Sequence, residues 1–260
     1  MAATIIAVAN GKGGVGKTTL SINIHNVIYN IKDEETNERL GLDVLFMDAD
    51  DQKSSVKFFV NRAEAKGIMV NRKLVEFPVV EYIAKDIRIE EHVNLVKNRH
   101  DFIIIDTKGA EADSTREVMT IADIIIVPLS PYGFDKEALT DTLDNLRKAK
   151  VHNKNMVVLV VFNKVDKAAS ARNREGRIEV GNIIDSVFNK NGNTAADNGV
   201  FLCKTELTYK PAVYDGMSKG LTVFDSSKGK TLDPQIEYNQ LLNEIQERYT
   251  QVNEKSKVAA

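Results

Sequence analysis

Cysteine is almost missing from this 260-residue chain. The lone Cys203 excludes an intrachain disulfide framework and suits a reducing compartment. Excess charge is missing too, since 35 Lys and Arg stand against 37 Asp and Glu. Bulk electrostatics therefore do not hold a nucleic acid here, and any such binding must come from a local basic patch. No apolar run approaches the ~20 residues that a membrane span needs. The apolar residues 4–9 are too few for a secretory signal and lead straight into a glycine-rich segment. There is no internal repeat and no low-complexity linker. The polar stretches 32–43 and 189–199 are too short to divide domains. One cytoplasmic domain spanning 1–260 is expected, long enough to bury a sizeable core.

What is present is a series of short, almost wholly apolar runs. Residues 4–9, 43–50, 101–107, 123–130 and 156–164 read as strands, with weaker candidates at 74–77 and 200–204. Continuous rather than alternating apolar character indicates a parallel sheet covered on both faces. Helical periodicity over 18–31, 139–149 and 178–188 alternates with these runs. The expected fold is α/β, a doubly wound, mostly parallel sheet flanked by helices. Residues 234–252 carry Ile236, Leu241, Leu242, Ile245, Tyr249 and Val252 mostly along one face. A terminal helix packed on the domain is expected. A membrane-surface helix would want a basic polar face, whereas this one carries Glu237, Glu244 and Glu247 and ends in a polar tail.

"NGKGGVGKTT", residues 10–19, holds the chemistry. Gly11 to Thr18 fits G-x-x-x-x-G-K-[ST], with a strand before it and a helix after. Gly11, Gly13, Gly14 and Gly16, with Val15 between them, let backbone N–H groups turn inward around a phosphate. The helix beginning near Lys17 adds its positive end. Lys17 is expected to bridge the β- and γ-phosphates, Thr18 to ligate Mg²⁺, and Thr19 to reach the α-phosphate. Lys12, at the start of the loop, is poorly placed to curl back onto the same γ-phosphate. It is expected to point outward, to the nucleotide of a second copy.

This loop resembles the deviant Walker A sequence, K-G-G-x-G-K-[ST], of the ParA/MinD ATPase family, and matches it from Lys12 to Thr18 without a departure. Acids end the predicted strands where α/β sheets bind ligands. Asp106 follows an apolar run as a Walker B carboxylate does and is expected to hold Mg²⁺, with the Gly109 N–H near the γ-phosphate. Residues 48–52 resemble the family's D-x-D-P-Q segment. The resemblance implies that Asp50 orients the attacking water and that Asp48 supports the Mg²⁺ shell. Asp51 stands where proline is usual, and Lys108 where a small residue or proline is common. Asn163, at the end of a strand in "FNKVD", can pair with a purine edge. N-K-x-D also specifies guanine in GTPases, whereas the family resemblance implies adenine, so ATP is the expected nucleotide and GTP the competing one. Residues 208–225 resemble the family's C-terminal pattern ending in G-L-T-V-F-[DE].

The resemblance implies an ATPase of slow basal rate that forms a homodimer with ATP, binds nonspecific DNA, and answers to a ParB-like partner on the nucleoid. A MinD-like or protein-cargo positioning ATPase is the alternative. Because the chain opens on its first strand, the small ParA type is expected, without a DNA-reading extension. Lys167, Arg172, Arg174, Arg177, Lys204, Lys210, Lys219, Lys228 and Lys230 are candidates for the DNA patch. Iron–sulfur relatives need paired cysteines, and His25, His92, His100 and His152 show no ligand spacing.

Overall fold

The computed structural model describes residues 2–50, 52–64, 69–70, 73–74, 80–82, 88–109, 113–131, 133–189, 192–225 and 233–258. In chain order the elements are β1 (Thr4–Val8), α1 (Lys17–Tyr29), β2 (Val44–Ala49), α2 (Ser54–Glu64), β3 (Met69–Val70), β4 (Lys73–Leu74), β5 (Val80–Tyr82), α3 (Ile89–Val96), β6 (Phe102–Thr107), α4 (Asp113–Ile121), β7 (Ile124–Leu129), α5 (Lys136–Ala149), β8 (Val157–Val165), α6 (Ser170–Phe188), β9 (Val200–Thr208), α7 (Pro211–Tyr214) and α8 (Asp233–Val258).

Seven strands form one sheet in the order β5-β2-β6-β1-β7-β8-β9, and every pairing in it is parallel. β3 and β4 form a separate antiparallel pair. The five apolar runs read as strands are the five inner strands, each buried nearly throughout. Parallel strands need crossovers, and the helices that supply them cover both faces. Residues of α3, α4, α5 and α6 pack on one face and those of α1, α2 and α8 on the other. The switch in strand order at β1, between β6 and β7, is where such sheets leave a crevice at their carboxyl ends.

Two expectations change. The 74–77 strand candidate falls mostly on residues outside those described, and the strand beside β2 is Val80–Tyr82. The final helix begins at Asp233 and runs on to Val258, so residues 253–258 are helical rather than a tail. Its acids are also divided differently. Glu237 and Glu244 are buried, not part of a solvated face. Glu244 accepts from the N–H groups of Lys204 and Thr205, and Glu237 from the N–H and hydroxyl of Thr208. Among the described residues β9 is an edge strand whose outer N–H groups have no strand partner, and two carboxylates of α8 supply the acceptors.

Candidate nucleotide site

The glycine-rich loop leaves the carboxyl end of β1 and closes onto α1. Gly14 and Gly16 have φ of 75° and 91°, a region that a Cβ makes costly. A Cβ on Gly16 would also lie 2.6 Å from the Asn163 amide nitrogen. The loop is tied on several sides. Asn10 donates to the Pro128 carbonyl at 2.7 Å and accepts from the Lys12 N–H at 2.8 Å. The Gly11 N–H donates to the Thr142 hydroxyl at 3.2 Å. Asn163 donates to the Val15 carbonyl at 2.8 Å, and the Lys164 ammonium to that of Gly14 at 2.6 Å.

Around this loop lies a cleft of about 590 Å³. Its walls include Lys17, Thr18 and Thr19 from α1, Asp50 and Gln52 from the turn after β2, and Lys108 and Gly109 after β6. Gly109 passes so near the loop that a Cβ there would stand 3.4 Å from the Gly11 carbonyl oxygen. Lys17 donates to the Lys12 carbonyl at 3.3 Å. Burial lowers its pKa, and the charges of Asp106 and Asp50 act in the opposite direction. Lys12 lines a different, smaller cavity on the flank of the loop, with Ser130, Gly133 and Phe134, and its ammonium donates to the Gly133 carbonyl at 3.1 Å.

The acids at the strand ends are not equivalent. Asp48 and Asp106 are register partners across β2 and β6, and both are fully buried. Asp48 accepts from the N–H groups of Asp50 at 2.9 Å and Val56 at 3.2 Å, and from the Ser55 hydroxyl. Asp106 accepts from the Ser21 hydroxyl at 3.1 Å on one oxygen, while its other oxygen, Oδ2, is buried without a hydrogen-bond partner. Burial pushes the Asp106 carboxyl up to about 7; Thr18 and Ser21 hydroxyls oppose the shift, and the charges of Asp48 and Asp50 add to it. A buried, unsatisfied carboxylate oxygen beside a threonine hydroxyl at the mouth of a phosphate loop fits a hard cation such as Mg²⁺. Asp106 and Thr18 would hold it there, whereas Asp48 spends both oxygens on the turn that carries Asp50. Among the described residues no cluster of three or more His, Cys, Asp or Glu could hold a metal alone, so a cation here relies on further oxygens such as phosphate and water.

Asn163 is 6% exposed, and its amide is engaged at both ends, by the Val15 carbonyl and by the Lys164 N–H. It faces the loop. Sequence reasoning passed over Ser21, Ser55, Thr142 and Lys164. Ser21 was within reach, since it lies one helical turn after Lys17; Ser55 and Thr142 carry no local signal. Of the DNA-patch candidates, Lys167, Lys210 and Arg177 pair with Glu237, Asp233 and Glu206. Arg172, Arg174, Lys204 and Lys219 are exposed. Asp51, Lys228 and Lys230 lie outside the described residues.

A doubly wound parallel sheet with a glycine loop tied between β1 and α1 defines the P-loop nucleotide-binding class. Residues 4–198 match the family described as ATPase MipZ, and the chain belongs to this family of ParA/MinD-type ATPases. It is 27% identical over 244 residues to the sporulation initiation inhibitor protein Soj of Bacillus subtilis, covering 85% of this chain and 94% of that one. The fold resembles the MinD cell division protein of Aquifex aeolicus, with a TM-score of 0.62 at 19% identity over 93% of this chain and 97% of that one. It also resembles the ATP complex of a Cyanothece McdA variant, with a TM-score of 0.62 at 13% identity over 93% of this chain and 96% of that one.

Proposed function

We propose that this chain is a partition-type ATPase in which ATP closes a dimer, the dimer binds nonspecific DNA, and a ParB-like partner triggers hydrolysis and release. The observation that carries this reading is the separation of the two loop lysines. Lys17 lines the phosphate cleft, while Lys12 lies on the flank outside it, at Gly133. A cation on the outside of the loop serves a phosphate that approaches from outside, that of a second copy. Exchange of the Gly133 carbonyl for that phosphate makes dimerisation depend on the triphosphate. Pairing doubles any weak basic surface, so DNA affinity follows nucleotide state. Likeness to the chromosome partitioning protein ParA of Caulobacter vibrioides supports the partition reading, and a relative solved with ATP supports ATP as the nucleotide.

Asp50, half-buried at the cleft rim, orients the attacking water. Lys17 and the partner's Lys12 meet the charge that develops on the transferred phosphoryl group. Asp106 and Thr18 would hold Mg²⁺, which would supply the remaining neutralisation of phosphate charge. No arginine lines the cleft among the described residues, which fits a slow basal rate raised by a partner. The dimer works in the cytoplasm, on the nucleoid.

Sedimentation of the Asp50→Ala protein tests this. With ATP it sediments as a dimer and joins DNA; with ADP it stays a monomer. Adding Lys12→Ala to the same protein abolishes the dimer. A Lys12→Ala dimer as tight as the parent sinks the reading. GTP outperforming ATP reassigns the nucleotide. Flotation with liposomes instead of DNA moves the protein to the MinD-like alternative.

A further inference from the structure

The carboxyl end of β8 is irregular. Its register with β9 shifts between Asn163 and Val165, and Lys164 between them has φ of 60°. In a regular strand consecutive side chains point to opposite faces. Here two consecutive side chains reach the same loop, Asn163 at the Val15 carbonyl and Lys164 at the Gly14 carbonyl. The bulge makes this possible, because it re-aims one side chain at the rim of the sheet. A left-handed residue in such a bulge is ordinarily glycine, which takes that conformation without strain. Lysine there is strained, and strain of this kind persists where the side chain is used. Lys164 is solvent-exposed, so core packing does not explain it. It borders both the phosphate cleft and the smaller cavity beside Lys12.

We propose that Lys164 is a positioning lysine for the phosphate loop, acting with Asn163 as a two-point clamp on consecutive carbonyls. In a trans peptide the C=O of one residue and the N–H of the next point in opposite directions. Drawing the Gly14 and Val15 carbonyls toward β8 therefore turns the Val15 and Gly16 N–H groups away from it, where phosphate oxygens can take them. The ammonium also covers a carbonyl oxygen that would otherwise repel a polyphosphate. Because the clamp shapes the loop rather than touching the γ-phosphate, it serves di- and triphosphates alike. This rests on the reading of the cleft as a nucleotide site.

Calorimetric titration of the full chain with Mg²⁺ and either ATP or ADP tests it, with thermal melting of each nucleotide-free protein alongside. Lys164→Met and Lys164→Gly weaken both nucleotides by about tenfold and by similar factors, the loss of one charge-assisted contact. Lys164→Arg stays within about threefold of the parent, since it keeps the charge and the donor. Lys164→Gly melts at or above the parent temperature, because glycine relieves the left-handed strain. A glycine variant that binds both nucleotides like the parent overturns the proposal. So does one that loses affinity together with stability, which is the mark of a merely structural residue. A loss confined to ATP also overturns it, since that reports a γ-phosphate contact. A parent protein that binds neither nucleotide overturns the site reading itself, and the proposal falls with it.

Discussion

The ends of β2 and β6 place two carboxylates side by side, and their surroundings give them opposite characters. Asp48 and Asp106 share a register and are equally hidden from water. The turn after β2 folds back on Asp48 and fills its oxygens with two N–H groups and a hydroxyl. β6 leads instead toward Gly109 and the phosphate loop, and Asp106 keeps one oxygen unmet. Burial raises the pKa of both acids, and at Asp48 three donors work against the shift. An acid that is fully hydrogen-bonded holds its own loop in place; an acid left short of donors is ready for a cation. Position at a strand end is therefore not enough to define a ligand.

Removing the carboxylate at β6 breaks the comparison most sharply. Asp106→Asn slows Mg²⁺-dependent hydrolysis by at least about 10³-fold, because metal-held charge stabilisation is worth several kcal/mol. Its effect on folding runs the other way. The folded state keeps a proton on Asp106 up to about pH 7, while the unfolded chain releases it near the ordinary carboxylate value. The unfolded state thus binds fewer protons in this window, and nucleotide-free stability falls as pH rises from about 4 to about 7. Asp106→Asn removes the Asp106 contribution to that slope throughout and is more stable than the parent at pH 7.5, as urea midpoints at several pH values will measure. A variant less stable than the parent at pH 7.5 would mean that Asp106 is satisfied in solution.

The same change at β2 has a smaller and opposite consequence. Asp48→Asn costs about 2 kcal/mol of stability, since each Asp48 oxygen accepts from a backbone N–H and an amide NH₂ in place of either would leave that donor unpaired. Hydrolysis declines less than in Asp106→Asn, through loosening of the turn that carries Asp50. Guanidinium midpoints beside turnover rates separate the two. If Asp48→Asn abolished Mg²⁺-dependent turnover with its midpoint unchanged, Asp48 would be a ligand and the contrast would vanish.

Local signals in the chain reached one side of this site further than the other. The phosphate loop was readable because its chemistry is local: four glycines, two lysines and a threonine lie in one run between a strand and a helix. The five inner strands were readable for a related reason, since burial on both faces leaves them almost wholly apolar, with polar residues only toward their ends. α2, α3 and α4 escaped notice because their buried positions are few and spaced among charges. The sequence put both Asp48 and Asp106 at a Mg²⁺ site, since both follow apolar runs, and carried nothing that tells the two apart. What separates them is where the chain goes next. Glu237 and Glu244 misled for the same reason, as nothing around them in the chain announces the edge strand that they face.

Each buried acid has one serine donor, and the pair offers the finest test. Ser55 donates to Asp48 and Ser21 to Asp106. Ser55→Ala removes a hydroxyl from an acid whose remaining donors are fixed N–H groups, and costs about 1–2 kcal/mol. Ser21→Ala removes the donor from an acid that already retains its proton near neutrality, so the cost at pH 6 is under about 1 kcal/mol. The Asp106 carboxyl then rises further, and the stability loss on raising the pH extends to higher values than in the parent. Equal costs for the two serines would mean that the two acids are equally charged, whereas a gap that opens at pH 6 and narrows above pH 8 is what an unmet oxygen on Asp106 requires.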